Sequence, residues 1–242
     1  MVALLTLSAC ASHSLVIPIT GGEPLAPELQ AWSERSLPGK LNTRYSLAQR
    51  AGQSCVLAHA RRSASMLRRP LQVVPAQLGQ VEFDWWIASG VTLAQLGHDE
   101  PPDDAPVRLL LAFEGDDAKL SLRNRMLFEL ARTLTGEAPP YATLMYIWHA
   151  TAAPETVIVS SHTDRIRKIV VGSGEAGKRS WQRFRRDIAA DFRRAFGEEP
   201  GSLVQAALMT DADNGQGQAE ACYGRLVFLG PDSQPLPGSL LF

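Results

Sequence analysis

The sequence predicts a mainly β protein, an antiparallel sandwich carrying two amphipathic helices. Three observations lead there. Short segments of strand character are separated by Gly, Pro and Asp, which is the punctuation of a sandwich. Val81, Phe83, Trp85 and Ile87 alternate with Glu82, Asp84 and Trp86, the two-residue period of a strand with one buried face. Two other stretches repeat apolar residues at three- and four-residue spacing, the period of a helix with one apolar stripe.

In chain order, residues 18 to 40 hold Pro18, Gly21, Gly22, Pro24, Pro27, Pro38 and Gly39, and read as an extended lead-in with one short strand near Trp32. Strands are expected at Thr43–Gln49, Ser54–Ala60, Ser63–Leu67, Gln80–Ala88 and Val107–Phe113. Further strands are expected at Tyr141–Trp148, Glu155–Ser160, Ile166–Val171, Leu203–Thr210 and Ala221–Leu229. The first helix is expected over Lys119–Leu134. There Leu120, Met126, Leu127, Leu130, Ala131 and Leu134 make a core-facing stripe that Gly136 and Pro139–Pro140 terminate. The second is expected over Trp181–Phe196, with Phe184, Ile188, Phe192 and Phe196 four apart and Gly197 as its C-terminal cap. No repeat or composition shift divides the chain, so residues 28–231 are expected to form one domain, followed by a tail over 232–242.

The N-terminus points to an address. Val2–Leu7 is a short apolar run leading into Leu7-Ser8-Ala9-Cys10, the pattern of a bacterial lipobox. Residues 1–9 are therefore expected to be a signal peptide, Cys10 the lipidated first residue of the mature protein, and 10–27 a tether. No Lys or Arg precedes the apolar run, so the basic start of such a signal is missing. Ala11, rather than an acid, follows the cysteine, which by resemblance to bacterial lipoproteins favours the periplasmic side of the outer membrane. With Cys10 acylated, Cys55 and Cys222 remain as an even pair in an oxidising compartment. They are candidates for a disulfide, and equally small core residues.

Composition limits the partners. The formal net charge is −1, so the field of the whole protein selects neither nucleic acid nor an anionic membrane. No run of about 18 apolar residues is present to cross a bilayer as a helix. Contact with a membrane is expected through the lipid alone.

Several motifs fall short of the chemistry they suggest. Gly172-Ser173-Gly174-Glu175-Ala176-Gly177-Lys178-Arg179 stops one residue short of a phosphate-binding loop, because Arg179 stands where a Ser or Thr must ligate magnesium. No nucleotide is expected. Asp211, Asp213 and Asn214 cluster oxygen ligands in a tight loop before Gly215 and suit structural calcium, with Asp103 and Asp104 as distant helpers. The EF-hand register fails, however, since Asn214 falls fourth and Glu220 tenth, and an Asx turn explains the loop equally well. His59, His98, His149 and His162 are scattered without metal-ligand spacing. No cofactor beyond that calcium is expected. A hydrolase could draw paired acids from Glu82, Asp84, Asp104 and Glu114, but only their separation in space would choose among them.

Aromatic residues offer a binding reading. Trp86 shares the wetter strand face with Glu82 and Asp84, and Tyr146 and Trp148 share one face of their strand. On an open face, either set stacks sugar rings while the acids and Arg108 take hydroxyls. Inside the sandwich, Tyr146 and Trp148 are core.

The pattern Phe83-x-Trp85, Asp103-Asp104-x-x-x-Arg108, Phe113 and Tyr146-x-Trp148 continues with Gly172-x-Gly174, Trp181, Arg186-Asp187, Asp191 and Phe196-Gly197. It ends on Thr210-Asp211-x-Asp213-Asn214. It resembles the bacterial proteins grouped as domain of unknown function 3047, many of them exported, over most of residues 30 to 230. The chain departs from them at Gly215, where Thr then Gly is usual, and in a longer helical insert from Lys119 to Gly136. The resemblance implies a single β-rich, jelly-roll-like sandwich similar to carbohydrate-binding modules, and it implies no activity. The expectation is a non-enzymatic module that binds a glycan or another envelope component. The alternatives are a polysaccharide hydrolase with paired carboxylates and a purely structural envelope partner.

Overall fold

The computed structural model describes residues 17–18, 29–92 and 104–240. The expected signal peptide, Cys10, most of the expected tether and Asp103 lie outside the described residues. In chain order the strands are β1 (Ile17–Pro18), β2 (Ser33–Ser36), β3 (Arg44–Arg50), β4 (Gln53–Arg61), β5 (Ala64–Val73), β6 (Gln80–Thr92) and β7 (Arg108–Phe113). They continue with β8 (Ala142–His149), β9 (Val157–Val159), β10 (Ile166–Ser173), β11 (Trp181–Asp187), β12 (Leu203–Asp211) and β13 (Gln218–Leu229). The helices are α1 (Leu122–Thr135) and α2 (Ile188–Phe196).

Two sheets result, one of six strands in the order β1-β3-β4-β13-β6-β11 and one of seven in the order β2-β5-β12-β7-β8-β10-β9. Neighbours are antiparallel except β8 and β10, which run parallel. The chain switches sheets repeatedly, from β4 to β5 to β6 to β7 and again from β10 through β13, as in a jelly-roll-like sandwich. The predicted fold class is therefore present.

The core lies between the sheets. Val81, Phe83, Trp85 and Ile87 of β6 face Leu109, Leu111 and Phe113 of β7 and Leu144 and Tyr146 of β8, all of them buried. Phe83 stacks on Tyr146 across the layers at 5.5 Å between ring centroids. This is the face that the alternation in β6 predicts, and burying side chains of this size contributes about 1.5–3 kcal/mol each.

Two expectations need correction. The helix expected over Trp181–Phe196 begins only at Ile188, and Trp181–Asp187 is strand β11, antiparallel to β6. The alternation explains it. Phe184 points inward onto Phe83 and Trp85, at 5.2 Å from each ring, while Arg183 and Arg185 point outward beside Asp84 and Glu82, 3.8 and 3.5 Å away. The four-residue step from Phe184 to Ile188 spans a junction between strand and helix. Asp187 marks that junction by accepting a hydrogen bond from the Ala190 amide at 2.8 Å, an N-terminal cap. Gly197, at φ 71°, closes α2 where only a left-handed residue fits, as expected.

The second correction concerns α1, which begins at Leu122 behind a Ser121 cap. Its expected core-facing stripe faces solvent: Met126, Leu127, Leu130 and Leu134 are exposed. The helix docks instead through Asn124, Phe128, Ala131 and Thr135, with the Asn124 amide donating to Asp164 at 2.6 Å. Two parts expected to flank the domain also join it. Ile17 of the tether pairs with Leu47, and the tail bridges back to β13 through Leu226 and Leu240, the latter fully buried.

Candidate functional site

The residues singled out in the sequence do not converge. Glu82, Asp84 and Trp86 lie on the outer face of the six-stranded sheet, whereas Arg108 lies on the outer face of the seven-stranded one. On the first face a shallow groove of about 910 Å³ runs between Gln53, Glu82, Asp84, Arg183, Arg185 and Arg225. Asp84 sits low in it, where burial raises its pKa and Gln53 Nε2 donates to both carboxylate oxygens at 3.1 and 3.2 Å. Glu82 is ion-paired to Arg225 and Arg185.

Trp86 is not an open platform. The Arg50 guanidinium covers its ring at 4.6 Å from the centroid, and in the register it stands opposite Cys222. Cys222 and Cys55, both fully buried, form a disulfide between β13 and β4, with Cα atoms 5.5 Å apart. Tyr146 and Trp148 are buried core, so the stacking role is corrected for them as well. The Tyr146 hydroxyl donates to Asp191 at 2.9 Å, the Trp148 indole donates to the Gly174 carbonyl at 3.1 Å, and that indole lies flush against Gly172. The glycine-rich run from Gly172 joins two strands, β10 and β11. It therefore has no helix N-terminus to hold a phosphate.

The outer face of the seven-stranded sheet carries a groove of about 500 Å³. The strand register sets two rows of side chains across five strands, and Met66, Met209, Arg108, Arg68, Leu110, Met145 and Lys168 of these rows line the groove. One row is Met66, Met209, Arg108, Ile147 and Val170; the other is Arg68, Ala207, Leu110, Met145 and Lys168. Cross-strand neighbours of this kind sit about 5 Å apart, so methionine and leucine side chains form a continuous apolar strip with cations set into it. Ala131 and Thr135 of α1, with Pro139–Pro140, wall one side.

One end of the groove is charged. The Arg108 guanidinium pairs with Asp211 at 3.1 Å, and both side chains are nearly inaccessible, 5% and 7% exposed. Lys40 pairs with Asp213. Asp104 accepts from the amides of Asn214 (3.0 Å) and Gly215 (2.7 Å) and from the Asn214 side-chain nitrogen at 3.0 Å. Oxygen atoms of Asp104, Asp211 and Asp213 come within 4.8 Å of one another.

Three carboxylates facing two cations leave one negative charge over, and the titration of the cluster answers it. Burial raises Asp211 to about 8 against the pull of Arg108. Asp213, despite its own burial, is held below the usual range by hydrogen bonds from Asp211 and Lys40. The two titrate as a unit that retains one proton. Among the described residues, Asp104, Asp211 and Asp213 are the group able to approach a cation. Asn214, expected as a ligand, instead presents its nitrogen to Asp104, and Arg108 and Lys40 already supply positive charge.

The acids named for hydrolysis are dispersed: Glu82 and Asp84 on one outer face, Asp104 at the other, and Glu114 exposed beyond β7. Sequence reasoning found Arg108, Asp104, Asp211 and Asp213 but missed Lys40, Lys168, Met66, Leu110, Met145 and Met209. A lysine inside the apolar run Ile166–Val171 was the one available signal.

The model of the family described as "Protein of unknown function (DUF3047)" matches residues 30–227. The chain belongs to this family. No curated protein matches it. Solved structures similar to it include a mutant of ENZbleach xylanase, 9% identical at a TM-score of 0.43, covering 98% of this chain and 94% of that one. Another is the native family 12 xyloglucanase from Bacillus licheniformis, 6% identical at a TM-score of 0.40, covering 90% and 100%. Likenesses this distant say nothing about activity.

Proposed function

We propose that this protein is a non-enzymatic binding module of the bacterial cell envelope. In this reading it is lipid-anchored at Cys10 on the periplasmic side of the outer membrane and holds an amphiphilic envelope component in the groove of the seven-stranded sheet. The observation that carries the reading is the groove itself, an apolar strip of Met66, Leu110, Met145 and Met209 interrupted by Arg108 and Lys168. Such a floor suits a ligand with a hydrocarbon body and a polar or anionic head. A glycan fits it less well, because no Trp, Tyr or Phe is among its described lining residues. Asp104, Asp211 and Asp213 are already engaged by cations and amides, which supports a binding role over a catalytic one. The Cys55–Cys222 disulfide supports an oxidising compartment.

The test is calorimetric titration with lysophosphatidylglycerol. Binding by the parental protein, weakened at least about tenfold in Leu110→Trp (the 1.4 kcal/mol of a filled groove), is expected. No heat from the parental protein, or equal binding by the variant, defeats the reading. Mass spectrometry of the mature protein tests the address separately: acylated Cys10 is expected, and an intact Met1 defeats it.

One observation favours a hydrolase as the second reading. Burial raises Asp211 to about 8 while hydrogen bonds from Asp211 and Lys40 hold the neighbouring Asp213 below its usual range in the groove wall, the kind of split that acid–base catalysis uses. Release of reducing sugar from an envelope polysaccharide, abolished in Asp213→Asn, would establish it.

A further inference from the structure

We infer that α1 is an interfacial helix that seats the domain on an anionic phospholipid surface and turns the adjoining groove towards it. The inference rests on the envelope address proposed above, but not on acylation, and it assigns a second, non-covalent membrane contact.

The helix has three faces. At about 100° per residue, Asn124, Phe128, Ala131 and Thr135 fall within about 60° of one another and are the partly or fully buried residues by which α1 docks. Leu122, Met126, Leu130 and Leu134 occupy the adjacent sector and are 70%, 66%, 56% and 69% exposed. A soluble domain leaves single apolar side chains in water without consequence, but four in register along one helix form a continuous patch, which marks an interaction surface. Arg125 and Arg132 flank the stripe on its far side, and Arg123 lies within it. Glu129, the one acid of the helix, lies between the stripe and these two arginines and pairs with Arg132 at 3.9 Å, which leaves the helix with a net positive charge.

An apolar stripe edged by arginines is the composition of a helix lying in the plane of a membrane interface. Its leucines enter the acyl boundary while the guanidinium groups remain among the headgroups. The charge decides between occupants. In a two-fold pairing of copies through this stripe, the flanking arginines of one copy would approach those of the other, whereas an anionic leaflet attracts each of them by about 1 kcal/mol. Ala131 and Thr135 of the same helix wall the groove, so a seated α1 places the groove mouth beside the bilayer from which an amphiphile would come.

The test uses protein exported behind a cleavable leader so that it starts at Ala11. This omits the lipid and removes no described residue. Flotation is measured with vesicles of phosphatidylcholine and of an equimolar mixture with phosphatidylglycerol. The protein is expected to float with the mixed vesicles, Met126→Glu/Leu130→Glu to lose flotation by about tenfold or more, and Arg125→Ala/Arg132→Ala to lose the preference for phosphatidylglycerol. Because these side chains are exposed, the variants keep the parental unfolding transition, and Leu134→Glu at the helix end provides an independent check. No flotation of the parental protein, or flotation unchanged in Met126→Glu/Leu130→Glu, overturns the inference. So does a parental dimer that this variant dissolves, which would make the stripe a contact between copies. Groove binding to lysophosphatidylglycerol, measured on the same protein without vesicles, separates a failed membrane contact from a failed binding function.

Discussion

The two outer faces of the sandwich carry the same residue types, arginines opposite acids, yet they are built for different ends. On the six-stranded sheet, Arg183, Arg185 and Arg225 are more than half exposed where they meet Glu82 and the buried Asp84. Exposed pairs of this kind are worth about 0.2–1 kcal/mol. Beneath them the sheet is tied by Cys55–Cys222. On the seven-stranded sheet, Arg108 and Asp211 are removed from water and set in a methionine- and leucine-lined strip. Burying the Arg108 charge beside an Asp211 that burial pushes up to about 8 costs several kcal/mol before their attraction is counted, so stability alone does not account for the pair. Groove size and charge count therefore mislead: the smaller groove is where the fold removes a charged arginine from water.

This contrast can be broken in four ways, from the largest effect to the smallest. Replacing both cysteines, Cys55→Ala/Cys222→Ala, releases a link between residues 167 apart in sequence. It should cost about 5 kcal/mol by loop-closure entropy, read as a lower urea midpoint with groove binding retained. Arg108→Met should cost no more than about 3 kcal/mol, the low end for a broken buried pair, because an Asp211 that retains its proton leaves no unpaired charge behind. It should also abolish groove binding in calorimetry, and a loss of binding no greater than that of the double-cysteine variant would remove Arg108 from the site.

The third test is pH. The folded protein keeps a proton on Asp211 that the unfolded chain releases near pH 4, since burial raises that group to about 8. The native state then binds more protons than the unfolded state across this window, so its stability falls as pH rises from about 4 to 8. Urea midpoints at pH 5 and pH 8 should show the decline, and Asp211→Asn, which cannot ionise, should flatten it. An unchanged slope in the variant would assign the dependence to other groups. Last, Glu82→Gln on the six-stranded face should shift stability by less than about 1 kcal/mol and leave lysophosphatidylglycerol binding as it is. A larger loss of binding would move the site to that face.

How much of this was legible depended on the range of the interaction. The strands were readable because alternation is a local property: β6 exposes its inward set in every second residue from Val81 to Ile87. Trp181–Asp187 was misread because two local periods coincide at Phe184 and Ile188, and only pairing with β6 decides for the strand. In α1 the apolar stripe was visible, but a stripe does not state what it faces. Asn124 and its bond to Asp164 hold the helix the other way round.

By itself, the sequence determined the mainly β class, the position of most strands, the cap that ends α2, the pair of cysteines able to join, and the inward face of β6. Each follows from neighbours a few residues apart or from counting residue types. Tertiary structure alone decided the groove. Met66, Arg108, Met145 and Met209 become one surface through strand register, and Lys40 reaches Asp213 across 173 positions. Burial, not identity, is what makes Arg108 and Asp211 unlike Arg225 and Glu82. The energy of a charge is set by how much water the fold removes from it, and that quantity is not written in any local stretch of the chain.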